Sequence, residues 1–238
     1  VNTASNTDAL DFAYLSAAGG FFGSMAPGVN VVSGTIEGSS YSGSIVYRSK
    51  DESLPSIGGF MGVWGNGPIS FSDNVVNGSA INYRGPYANI GALVGAVKNS
   101  KDTVFVNNLK VEKGIEASLS PVEGASIGGV FGIVNSSPVV LNEVSITSDI
   151  SVNDIESFDP VLTRSIDLSM GGAIGYIGNS KSNVKIENVS YEGSLTANRS
   201  YAANNKAQYV GGLVGKLKET SGSIGKGWVV GKEGNLMA

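Results

Sequence analysis

One six-residue phrase recurs along this chain: an apolar residue, two small residues, two apolar residues and a glycine. It stands at Ala18-Gly19-Gly20-Phe21-Phe22-Gly23, Ile57-Gly58-Gly59-Phe60-Met61-Gly62 and Ile90-Gly91-Ala92-Leu93-Val94-Gly95. It returns at Ile127-Gly128-Gly129-Val130-Phe131-Gly132, Met170-Gly171-Gly172-Ala173-Ile174-Gly175 and Val210-Gly211-Gly212-Leu213-Val214-Gly215. Successive copies lie 33 to 43 residues apart. A period in that range marks stacked repeats, in which each unit buries its apolar face only against its neighbours.

The block itself admits two readings. Ile90, Leu93, Val94 and Val97 mimic one face of a helix. Three glycines in six residues would cost such a helix roughly 2–3 kcal/mol. Strand is the better fit, with glycine allowing a tight bend or a close approach between coils. Alternating stretches follow each block: Val29-x-Val31-x-Ser33, Ile69-x-Phe71-x-Asp73, Val104-x-Val106-x-Asn108, Val139-x-Leu141-x-Glu143 and Val184-x-Ile186-x-Asn188. Period-two alternation is a strand signal. A third stretch alternates over Val111 to Ile115, Ile146 to Ile150 and Tyr191 to Leu195.

About three strands per unit, repeated in series, predict an all-β fold: a right-handed parallel β-helix, or solenoid, with coils about 4.8 Å apart and a length of roughly 25–30 Å. Residues 18–238 form this solenoid, with repeats starting near 18, 57, 90, 127, 170 and 210. Ile57, Ile90, Ile127, Met170 and Val210 should stack into one internal ladder. Ser33, Asp73, Asn108, Glu143 and Asn188 should stack into a polar one near a corner. Phe21, Phe22, Met61 and Phe131 fall in the core by the same logic. Residues 1–17 read as an N-terminal cap, a short helix over Thr7 to Leu15 that blunts the first coil.

Composition excludes several functions. The chain has no Cys and no His, which removes a Cys/His zinc site, a Ser-His-Asp triad and a Cys nucleophile. No cofactor is expected. Net charge is −4 and no Lys/Arg block exists, so a nucleic-acid partner is not expected. No apolar run approaches the ~20 residues of a membrane helix. The chain begins at Val1 without Met, and it reads as a segment of a longer protein, monomeric as a fragment.

The glycine blocks resemble the GLUG motif of bacterial surface proteins, and Val210-Gly211-Gly212-Leu213-Val214-Gly215 carries the likeness best. The resemblance spans about residues 18 to 235 and brings no catalytic residues with it. It implies a secreted or cell-surface, adhesin-like passenger or stalk.

Length varies at one place in the unit, in insertions at about 41–56, 82–89, 117–126, 151–169 and 197–209. All four arginines fall there, with tyrosines beside them: Tyr47 and Arg48, Tyr83, Arg84 and Tyr87, Arg164, Arg199 and Tyr201. Tyr and Arg supply apolar area and fixed donors, which makes these eight residues the candidate ligand contacts. The carboxylates Asp51, Glu52, Asp154, Glu156 and Asp159 share the insertions. Facing pairs of carboxylates can hydrolyse glycosides, yet none of these falls in a strand ladder, where rigid catalytic groups sit. The expected function is therefore a noncatalytic extracellular repeat module, an adhesive surface or spacer contacting a glycan or host surface protein. The alternative is a β-helix polysaccharide lyase or hydrolase.

Overall fold

The computed structural model describes residues 17–25, 33–49, 54–65, 67–120, 124–155, 167–179, 181–198, 207–218, 221–225 and 227–229. The proposed cap helix lies outside them, as do Arg164, Arg199, Tyr201, Asp51, Glu52, Glu156 and Asp159.

The described residues build an all-β parallel solenoid of five complete coils and the start of a sixth. Each complete coil has four strand-forming sides, one more than the alternation implied, and in the first coil the third side is split into Gly34–Glu37 and Ser40–Tyr41. In the third coil the four sides are Ala88–Gly91, Val94–Lys98, Val104–Val111 and Ile115–Leu119. Like strands stack into four parallel sheets. The first and second sheets have six strands each, the third runs from Gly34–Glu37 to Ser221–Ile224, and the fourth has five strands.

The glycine block is a corner between two strands. In the second coil Ser56–Gly58 ends the first strand, Gly59 and Phe60 turn, and Met61–Trp64 begins the second. The stretches from Val111 to Ile115 and from Ile146 to Ile150 are likewise corners, with the fourth strand beginning at Ile115 and at Ile150. Two apolar residues four apart look the same whether a strand or a corner joins them.

The apolar ladder has the expected register, Ala18↔Ile57↔Ile90↔Ile127↔Met170↔Val210. In the long third-sheet strands, Ile69, Val104, Val139 and Val184 align, as do Phe71, Val106, Leu141 and Ile186. All eight are buried. Four members of the polar ladder, Asp73, Asn108, Glu143 and Asn188, sit midway along these strands with φ of 57°, 50°, 54° and 50°. They are the bend at which each long strand changes direction. Ser33 does not join them. The first coil takes a longer connection to its third sheet, so Gly34 and Ile36 pair with Ile69 and Phe71. Gly38, at φ 57°, then occupies the bend.

Met61 and Phe131 are buried as expected. Phe21 and Phe22 are 43% and 47% exposed, contrary to the expectation that they are core. Among the described residues their corner stacks on one coil only, with Phe21 against Phe60 at 4.7 Å between ring centroids.

Candidate ligand-binding face

Arg48 and Arg84 lie within strands and not in loops. Ile45–Arg48 and Ile81–Gly85 are neighbours in the fourth sheet, with Tyr47 opposite Tyr83 and Arg48 opposite Arg84. Consecutive residues of a strand point to opposite faces, so each Tyr-Arg pair is split. The arginines are exposed and face outward. The tyrosines face inward: Tyr47 is half-buried against the core and Tyr83 is buried. Their rings stack at 6.1 Å with 27° between planes. The Tyr83 hydroxyl donates to the Tyr87 carbonyl at 2.6 Å, and Tyr87 is itself fully buried. Burial leaves Tyr83 and Tyr87 no surface to offer a ligand. They anchor the strand that displays the arginines.

The outward column continues in register. Arg84 pairs with Ser118, Ser118 with Asn153, and Asn153 with Asn198. The Asn198 Nδ2 donates to Asn153 Oδ1 at 3.0 Å. The parallel outward column reads Val46, Asn82, Glu116, Ser151 and Thr196. Val46 is 55% exposed. The fourth sheet thus presents two arginines in register, followed by hydroxyl and amide groups along one line.

The third sheet's outer face is ordered the same way. Asn142 Nδ2 donates to Asn107 Oδ1 at 2.7 Å and accepts at its own Oδ1 from Asn188 Nδ2 at 3.0 Å. Asn108 Nδ2 donates to Asp73 Oδ1 at 2.6 Å. Beside this ladder, Pro138, Val140, Asn183, Lys185 and Ser223 line a shallow groove, with Lys185 paired to Glu187 at 2.8 Å.

Two lysines have roles the sequence reading missed. Lys113, at the corner after Val111, is fully buried. Its Nζ donates to the carbonyls of Gly43 at 2.5 Å and Asn77 at 3.1 Å, and to that of Ser79. It also lies 5.3 Å from the centre of the Tyr41 ring. One ammonium therefore satisfies corner carbonyls of the two preceding coils. Burial pushes its pKa below the ordinary lysine value. The available signal was position: Lys113 lies between two inward-facing residues, Val111 and Ile115, with glycine next.

Lys216 pairs with Asp167 at 2.5 Å and lies 4.2 Å from the Tyr209 ring centre. Partial burial works against its charge, but the Asp167 hydrogen bond and carboxylate prevail and hold its pKa above the usual value. The partners stand 49 residues apart, a pairing visible only once the coils are stacked.

Of the candidate carboxylates, Asp154 falls in a strand ladder, contrary to expectation: it ends the fourth-sheet strand Ile150–Asp154 and lies in register with Leu119. Among the described residues no group of three or more acidic side chains is placed to hold a metal ion. Compared with protein-family models, curated proteins and solved structures, the chain matches none.

Proposed function

We propose that the chain is a noncatalytic extracellular repeat module of a larger bacterial surface protein. It acts as a rigid spacer with an adhesive flank, and the flank is the outer face of the fourth sheet with the connections that follow it. The observation that supports this reading is the register. Inward residues of every complete coil fill one continuous apolar core, while outward polar residues bond their counterparts in the next coil. Such a body is stiff along its axis and displays the same sheet position repeatedly. The likeness of the glycine blocks to the GLUG motif points the same way. A glycan or a host surface protein is the partner class.

The test is a glycan and surface-protein array probed with the purified chain, run beside a polysaccharide depolymerisation screen. Retention of a ligand without release of shorter sugars is the expected result. Release of new chain ends would replace this reading with a β-helix carbohydrate-active enzyme.

A further inference from the structure

Like charges directly opposite each other on neighbouring strands are destabilising. Arg48 and Arg84 are in that arrangement, about 4.8 Å apart at the backbone. Among the described residues neither forms an ion pair. The nearest outward carboxylate in the sheet, Glu116, stands one coil further and one column over, at the register of Asn82. The inward tyrosine stack fixes both strands, so the guanidiniums are presented from a rigid floor. In a chain of net charge −4, two arginines held in register with no ion pair among the described residues are a local feature that the overall charge opposes. It implies an anionic partner.

The rest of the column narrows the class. Ser118, Asn153 and Asn198 continue the line with uncharged donors and acceptors at the strand spacing. Glu116 in the adjacent column disfavours a second run of negative charge beyond the arginines. A nucleic acid would need many more cations and exposed aromatic rings for its bases. A peptide epitope would need large apolar or aromatic anchors, but Tyr47 and Tyr83 are turned inward and Val46 is the one apolar side chain in the two outward columns. A polymer of hydroxyl-bearing rings, some carrying a carboxylate, fits a line of guanidinium, hydroxyl and amide groups. Guanidinium binds carboxylate in a planar two-pronged geometry, and the amides suit sugar hydroxyls.

We propose that the outer column Arg48, Arg84, Ser118, Asn153 and Asn198 binds a uronic-acid polysaccharide lying along the solenoid axis, with carboxylates at the two arginines. This rests on the adhesive reading above and names its ligand class.

The test uses the purified chain and calorimetric titration with a panel of galacturonate, mannuronate and glucuronate oligosaccharides. The same oligomers with methyl-esterified carboxyls serve as controls. At least one acidic oligomer should bind, and its esterified form should bind about tenfold or more weakly. The double substitution Arg48→Ala/Arg84→Ala should remove binding while the circular dichroism spectrum stays unchanged. Asn153→Ala/Asn198→Ala should weaken it several-fold, and added salt should weaken the wild type. No binding across the panel, equal binding of the esters, or unchanged affinity of the arginine double variant would each overturn the proposal. A neutral glycan or surface protein retained on the array despite such a result would leave the adhesive module standing without this ligand.

Discussion

At the scale of single residues, the glycine block is explained by space and not by backbone angle. None of its glycines adopts positive φ. A methyl group on Gly128 would lie 2.3 Å from the Phe131 carbonyl oxygen, 2.6 Å from the Gly175 nitrogen and 2.7 Å from the Ala173 carbonyl oxygen. These are backbone atoms of a strand across the corner and of the next coil, and they have nowhere to move. The second small position differs. A methyl group there would meet one backbone carbonyl of the neighbouring coil, 2.1 Å away at Gly172 and 2.2 Å away at Gly20 and Gly129, and otherwise a side chain: Tyr191, Tyr41 and Ile146 respectively. Ala92 holds the same place in the third coil and is fully buried. Gly128→Ala should therefore cost about 3 kcal/mol or more, and Gly129→Ala distinctly less. Urea denaturation midpoints of the two variants test the order, and equal losses would refute it. The block's departure from its consensus at Ala92 was legible in the sequence. The backbone contacts that forbid the same change one residue earlier were not, because they join residues about 40 apart.

Tyrosine ionisation supplies a second residue-scale expectation. Burial, with a smaller contribution from the Asp149 carboxylate, raises the Tyr191 pKa well above its ordinary 10.0. Burial raises that of Tyr41 as well. Above pH 10 the unfolded chain releases these protons while the folded chain keeps them, so stability is complete below that pH and falls above it. Tyr191→Phe keeps the ring and gives up one hydrogen bond, 2.9 Å long, to the Ser194 carbonyl. Its denaturation midpoint should fall less than that of the wild type between about pH 8 and about pH 11. Lys113 titrates in both proteins, so the difference between them isolates Tyr191. Parallel curves would show that its hydroxyl ionises as freely in the fold as outside it.

At the scale of elements, the long third-sheet strands depend on a repeated exception. Asp73, Asn108, Glu143 and Asn188 hold left-handed backbone at equivalent positions. Asn and Asp tolerate that conformation because their short side chains bond locally, whereas Glu does not share the advantage. Asparagine at this position also bonds a neighbouring coil, as Asn108 does to Asp73 and Asn188 to Asn142. Glu143→Asn should accordingly stabilise the protein by about 0.5–1 kcal/mol, and Glu143→Val should destabilise it by more. Thermal melts of the pair decide this, and a destabilised Glu143→Asn would mean that the glutamate is held by its surroundings. The polar residue at the end of each alternating run could be seen in the sequence, but its backbone angle could not. The tyrosine-arginine pairs show the opposite case. Ile45-x-Tyr47 and Ile81-x-Tyr83 carry the strand alternation in plain view, and alternation alone separates Tyr47 from Arg48 onto opposite faces. Treating these segments as loops hid that consequence. Strand register then turned two sequence neighbours into a guanidinium column and a buried ring stack.

At the scale of the whole molecule, a solenoid has no single core that melts at once. Each coil is held by the two beside it, so stability is a sum of coil and interface contributions, and an inner coil gains from both sides. Burial follows this logic. In the second sheet Val97, Val134 and Ile177 are buried, while their equivalent Leu217 in the sixth coil is 58% exposed. In the first sheet Ile90, Ile127 and Met170 are fully buried, and Val210 is 38% exposed. Lys113 adds a fixed link across the first three coils through the carbonyls of Gly43, Asn77 and Ser79. Native-state amide exchange should therefore be slowest in the third and fourth coils, over 104–119 and 125–146, and faster over 208–218. Lys113→Met should leave its carbonyl partners buried without a donor and quicken exchange at 77–85 and 111–119 well before it does so at 168–191. If every coil exchanged at one common rate and Lys113→Met accelerated all of them equally, the coils would open as a single cooperative unit, and nearest-neighbour stacking would not describe this fold.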